Sequence, residues 1–222
     1  SAGTFPLGGG RTKPARGVLP FFACRDGVPV ATAVSLPPRT LTLDEFYAWA
    51  ARQRDGRFEL EDVRVIAMAP ERALHARTRL RACLALRDAL AGRGTGCEVF
   101  PDGLTVEIDD GSAYEPDVLV QCGERLAPDA IAATQPVIVV EVVSPSTNQR
   151  DMTTKLVGYF RVNSIRHYLI VDAAKPIVVH HQRTEGEAPT PILAGVALAL
   201  DPPGITLRVG ALFPPGPEAE RG

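Results

Sequence analysis

The sequence predicts an α/β (α+β) domain in which a mixed central β-sheet is flanked by helices. Three observations carry this. Bounded by Pro136 and Ser144-Pro145, residues 137–143 form a Val/Ile run interrupted only by Glu141, the pattern of a strand buried on both faces. Shorter apolar or alternating runs, bounded by Gly, Pro and Asp turn signals, recur on both sides of it. Two helical stretches, at about 70–92 and 151–162, lie one before and one after that strand, the order expected of helices packed on a sheet.

The composition fits one core and excludes several partners. With 222 residues and 45% hydrophobic content the chain can bury one good-sized core. A net charge of −2 gives no bulk attraction to nucleic acid or to an anionic bilayer, so such a partner must meet a local patch. No apolar run approaches the roughly 18 to 20 residues of a membrane span, and no charged segment followed by an apolar run and a cleavage site is visible. A soluble, cytoplasmic protein without a membrane partner is expected. Cys24, Cys83, Cys97 and Cys122 show no Cys-x-x-Cys pair, so free thiols are expected. A zinc site from Cys97, Cys122 and His180 or His181 lacks ligand spacing, and a disulfide framework is not expected beside so large an apolar core.

Taken in order, residues 1–39 are Gly- and Pro-rich and read as an N-terminal extension, with 18–22 and 28–34 able to pack as irregular strands. Thr42 with Glu45 three residues later is a capping box opening a short helix through Phe46, Tyr47 and Ala50, where the globular domain of 40–213 begins. Residues 57–60 and 63–68 alternate as two strands around Glu61-Asp62, a turn without the usual Asn-Gly or Asp-Gly. The Ala-, Leu- and Arg-rich stretch from Pro70 to Gly92 is a basic helix whose apolar stripe, through Leu74, Leu80, Leu84, Leu86 and Leu90, is not clean. Strands follow at 97–100 and 104–108 around Pro101-Asp102-Gly103, then at 117–120. After the Glu141 strand and a polar loop, the second helix stacks Asp151, Lys155 and Tyr159 on one side. Residues 167–171 and 177–181 read as a strand pair, 192–200 and 205–209 as short strands, and 214–222 as a flexible tail.

Acids inside apolar strands need a reason. Glu59, Asp117 and Glu141 each sit in or at the mouth of such a strand, and Lys155 follows at the start of the next helix. Carboxylate oxygens suit magnesium or manganese, which stabilise charge on a phosphoryl centre and activate a water, while a lysine stabilises the developing charge. The residues alone fit a buried ion network equally well. Asp151 with Lys155 is also an ordinary i, i+4 ion pair, Tyr159 reads as core, Ser144 and Ser146 read as loop and cap residues, His75 as a core-edge histidine with one hydrogen bond, and His180-His181 as surface.

Glu115-Pro116-Asp117, the block Val139-Val140-Glu141-Val142-Val143-Ser144-Pro145-Ser146-Thr147, and then Asp151, Lys155-Leu156 and Tyr159 resemble the Uma-type restriction endonuclease family of the PD-(D/E)xK nuclease superfamily. The similarity also takes in Thr42 to Glu45, Phe58-Glu59-Leu60, His75 and Tyr168 to Asp172, so it spans about 41–182. It implies a restriction-endonuclease-like fold and a magnesium- or manganese-dependent endonuclease that hydrolyses DNA phosphodiester bonds through a metal-activated water, acting as a homodimer. Asp117, Glu141 and Glu59 would be the metal-binding acids, and Lys155 would complete the catalytic set. Two positions depart from the pattern. Val143 stands where the strand-motif lysine is expected, a role then taken by Lys155 on the helix; Glu61-Asp62-Val63 replaces the family's Asp-Gly turn. The rival is a silent nuclease-fold module that binds nucleic acid or a protein partner. The apolar strand-rich segments after residue 176 also suggest a second copy to cover them.

Overall fold

The computed structural model describes residues 36–143, 149–184, 190–193 and 195–214. The expected strands at 18–22 and 28–34, nearly all of the extension, the loop with Ser144 and Ser146, the side chain of Asp151 and all but the first residue of the tail lie outside the described residues. The elements are α1 (Leu43–Ala50), β1 (Phe58–Glu61), β2 (Arg64–Ala67), α2 (Ala73–Leu90), β3 (Cys97–Pro101), β4 (Val106–Asp109), β5 (Ser112–Tyr114), β6 (Val118–Cys122), β7 (Pro136–Val143), α3 (Gln149–Tyr159), β8 (His167–Asp172), β9 (Ile177–Gln182), β10 (Thr190–Leu193), β11 (Ala197–Leu200), β12 (Ile205–Arg208) and a 3-10 turn at Val209–Leu212.

The Glu141 run becomes β7 in a six-stranded mixed sheet ordered β10-β9-β8-β7-β6-β3, parallel to β8 and antiparallel to β6. Its Val and Ile side chains alternate between two cores, as a period of two requires. Ile138, Val140 and Val142 join Ala82, Leu86 and Leu90 of α2, whereas Val139 packs with Tyr159, Tyr168 and Ile170 on the opposite face. Glu141 shares the second face. On α2 the buried positions are Thr78, Ala82, Leu86 and Leu90, an i, i+4 series that leaves Leu74 and Leu80 exposed. This explains the untidy stripe: small residues at 78 and 82 let the helix approach the sheet, and two of the expected core leucines face outward.

A second, four-stranded sheet ordered β2-β1-β5-β4 carries Glu59. The chain leaves it after β5 and enters the six-stranded sheet at β6, so Glu115-Pro116-Asp117 is the seam between the sheets. The capping box at Thr42 is made as expected. The β1–β2 turn places Asp62 and Val63 at φ +45° and +61°, the geometry an Asn-Gly would supply. A β-branched residue is held there by backbone bonds from Leu41 N–H to Val63 O and from Val63 N–H to Gly111 O, both 2.7 Å.

Two expectations are overturned. Cys97 and Cys122 are paired residues of β3 and β6 and form a disulfide, which also removes them as zinc ligands. His180 and His181 are buried, not on the surface. Of the apolar residues after 176, Val178, Leu198, Leu200, Ile205 and Leu207 are buried on the α2 face of this chain's own sheet, whereas Ile177 and Val196 are exposed.

Candidate active site

Four elements bring the expected residues to one cavity of about 510 Å³, lined by Glu59, Asp117, Glu141 and Lys155 together with His75 and Arg57. Pairing of Val118 with Val140, carried one residue further, sets Asp117 opposite Glu141 at the sheet's edge of that cavity. Asp117 Oδ2 accepts the Val142 N–H at 2.7 Å, which locks the carboxylate to the strand beside it. Glu59 arrives from β1 and accepts the Glu115 N–H at 2.8 Å, tying the second sheet to the seam. A larger hollow of about 810 Å³ along β3 gathers no comparable acids, since its charged residues are Glu98, Asp102 and Arg125.

Lys155 rises from α3 between two acids. Its Nζ donates to Glu59 Oε1 at 2.9 Å and to Glu141 Oε1 at 3.1 Å, with all three groups buried. The helix reaches this depth because Gly158 lies against the Tyr114 ring; a Cβ there would come within 2.5 Å of a ring carbon. Tyr159, read as core from the sequence, is core, and its hydroxyl donates to Glu141 Oε1 at 2.6 Å. Burial, opposed by Lys155 and reinforced by Asp117 and Glu59, lifts the Glu141 carboxyl to about 7. Burial likewise raises the Tyr159 phenol well above its ordinary range, so it stays a donor.

A second layer borders the first. His75 Nε2 lies 2.8 Å from Val142 O and 3.4 Å from Asp117 Oδ2, and Nδ1 lies 3.5 Å from Glu71 Oε2. The bond to Asp117 raises the His75 imidazole above its ordinary pKa. Arg57 pairs with Glu71, Asp102 and Glu115, and Arg79 with Glu71 and Asp102, leaving Arg79 Nη1 4.0 Å from Asp117 Oδ1. These partners were not singled out from the sequence, apart from His75 as a one-bond core-edge residue. A signal existed only for Tyr159, one turn beyond Lys155, and for Glu115, two residues before Asp117.

Among the described residues, the group of three potential ligands whose atoms all lie within 4.8 Å of one another is Glu71, His75 and Asp117. The expected trio of Glu59, Asp117 and Glu141 shares the cavity, but Lys155 stands between Glu59 and Glu141. Among the described residues no helix is long and apolar enough to cross a membrane.

A mixed sheet with helices on it, carrying acids and a lysine at one end of the central strands, defines a nuclease-fold protein. A crystal structure described as that of a "putative nuclease" from Anabaena variabilis superposes with a TM-score of 0.61 over 78% of this chain and 97% of that one, at 15% identity. The sequence profile of the Uma2 family, described as "Putative restriction endonuclease", matches residues 43–210, and the chain belongs to that family. It is also 29% identical over 160 residues to the protein slr1290 of a Synechocystis strain, covering 71% of this chain and 83% of that one.

Proposed function

We propose that this protein is a divalent-metal-dependent endodeoxyribonuclease, with Asp117 and Glu141 as metal ligands, Lys155 as the transition-state cation and Glu59 as the acid that holds Lys155. The observation that carries the reading is the convergence of Glu59, Asp117, Glu141 and Lys155 on one open cavity from β1, the start of β6, β7 and α3. A structural ion pair needs neither the cavity nor the excess negative charge.

The donor set fits a hard cation. Burial first, and the Asp117 and Glu59 carboxylates after it, lift the Glu141 carboxyl to about 7, and a bound cation would offset both. A magnesium or manganese ion there would neutralise charge on a phosphodiester and make a water acidic enough to attack. The Val142 N–H keeps one Asp117 oxygen fixed, so the carboxylate is pre-aimed. Glu59 and Glu141 hold the ammonium of Lys155 at the cavity floor, where it stabilises charge developing on the phosphate oxygens. Tyr159 keeps Glu141 Oε1 turned inward, towards Lys155. Arg72, beside Glu71 of the cavity wall, and Arg77 and Arg81 further along α2 are exposed and offer phosphate contacts to a molecule of net charge −2.

The test is plasmid and oligonucleotide cleavage with magnesium, manganese or chelator, using wild type and Glu141→Gln. Cleavage in either metal, abolished by chelator and lowered at least about 100-fold in the variant, is expected. A wild type that binds DNA in calcium but cuts none in either metal would identify a silent binding module. Absence of both cleavage and binding would leave the Lys155 network a structural device.

A further inference from the structure

We propose that Glu71, His75 and Asp117 form a second divalent-metal position, of mixed nitrogen and oxygen ligands, beside the one assigned to Asp117 and Glu141. It rests on the proposed function in one respect only, that Asp117 ligates metal, and adds residues from the N-terminal end of α2 and the turn before it. Three observations support it independently of that reading.

The first is the histidine's hydrogen bonding. Val142 O accepts from Nε2, since a carbonyl cannot donate, so Nε2 carries the proton in the neutral ring. Nδ1 then presents a lone pair. It is buried, has no hydrogen-bond partner among the described residues, and lies 3.5 Å from Glu71 Oε2. A carboxylate oxygen at that distance calls for a cation on Nδ1, a proton or a metal ion, and the two compete for the same nitrogen.

The second is the division of labour within Glu71. Both arginines address its Oε1, Arg57 at 3.0 Å and Arg79 at 2.5 Å, whereas Oε2 is the atom turned to the imidazole. The arginines therefore orient Glu71 without covering the oxygen that a metal would take. Glu71 lies just before the N-cap Arg72 and His75 is the third residue of α2, so the pair meets where the chain enters the helix.

The third is charge. Arg57 and Arg79 together meet Glu71, Asp102, Glu115 and Asp117, two guanidiniums against four carboxylates. That surplus of negative charge, in which Asp117 serves both positions, has the sign that a bound cation relieves. With one imidazole nitrogen among carboxylate oxygens, the position favours manganese, iron or zinc over magnesium and calcium, unlike the all-oxygen pair Asp117 and Glu141. Two ions sharing Asp117 would let attacking and leaving oxygens be stabilised separately.

Manganese is the probe. Metal-stripped full-length protein is titrated with Mn²⁺ by calorimetry and by the EPR signal of free ion, and pulsed EPR reads nitrogen coupling, for wild type, His75→Gln, Glu71→Gln and Glu141→Gln. Expected are two ions per chain in wild type, one with imidazole nitrogen coupling. That ion is lost or weakened at least about tenfold in His75→Gln and in Glu71→Gln, and retained in Glu141→Gln. A single ion without nitrogen coupling, lost only in Glu141→Gln, overturns the second position and leaves the proposed function standing. A single nitrogen-coupled ion indifferent to Glu141→Gln keeps this position and removes the metal assignment at Glu141. No Mn²⁺ binding overturns both. Should His75→Gln fail to fold, the isosteric Glu71→Gln decides by the same readouts.

Discussion

The two faces of the six-stranded sheet each bury a polar cluster, and the clusters obey different rules. On the α3 face, Glu59, Glu141 and Lys155 are charged or poised to be, open to a cavity, and left with one more carboxylate than ammonium. On the opposite face, His167 and His180 are buried and mutually satisfied. His167 Nε2–H donates to Pro202 O at 3.1 Å, which makes Nδ1 the acceptor of His180 Nε2–H at 2.9 Å. That chain of tautomers is neutral, and neither histidine lines the cavity that holds Lys155. Burial of polar groups therefore does not mark the site; unbalanced charge facing open space does.

The sharpest way to break the comparison is to remove the cation. Lys155→Ala leaves two buried carboxylates without the ammonium they share. We expect a loss of about 3–5 kcal/mol in stability and a fall in nuclease turnover of at least about 100-fold. Combining it with Glu141→Gln should restore most of the stability and none of the turnover. Thermal melts and cleavage assays on the two variants separate these effects. An unchanged melting temperature in Lys155→Ala would mean that the acid face is as self-sufficient as the histidine face.

The next test uses pH, because the faces tilt in opposite directions. Burial holds His167 down at about 4 against an ordinary 6.5, so the unfolded chain binds the proton more readily. Its contribution is complete above pH 6.5 and is lost as pH falls to 4, about 3 kcal/mol in all. Glu141 is raised from 4.5 to about 7, so in metal-free protein its contribution is complete below pH 4.5 and is lost as pH rises through 7. Urea unfolding between pH 4 and 8 should show both limbs. His167→Gln should flatten the acid limb alone, and Glu141→Gln or added Mn²⁺ the alkaline limb alone. An acid limb that survives in His167→Gln would place that titration elsewhere.

Much of this was legible in the sequence, and the gaps have physical causes. The capping box at Thr42, the buried run of β7 and the acids within strands are local patterns, readable without knowing a partner. Strand pairing is not local. Cys97 and Cys122 are 25 residues apart with no motif, and only the register of β3 on β6 sets them face to face. His180 and His181 read as surface because what buries them comes from elsewhere in the chain: His180 meets His167, and His181 stacks on Tyr168. The Arg57 and Arg79 network was illegible for the same reason, since its acids come from residues 71, 102, 115 and 117. Tyr159 is the instructive miss: an aromatic on a helix's inner face is usually core, and nothing in the sequence says that its hydroxyl ends on a carboxylate.

Tyr159→Phe gives the smallest predicted effect and the finest test of the acid face. The hydroxyl donates to Glu141 Oε1 at 2.6 Å and so favours the ionised carboxylate, against a burial that favours the proton. Removing it takes away a buried donor without stranding one, and Lys155 still serves the same oxygen at 3.1 Å. The expected cost is therefore modest, about 1 kcal/mol at pH 8 and less at pH 5, where Glu141 is protonated in the folded protein. The Glu141 midpoint should move further up, read by ¹³C NMR of labelled glutamate in metal-free protein. The acid limb of any cleavage profile should move the same way, because more alkali is then needed to expose the carboxylate. A midpoint that stays put or falls would show that the phenol packs beside Glu141 without setting its charge, and the acid face would then be tuned by Lys155 and burial alone.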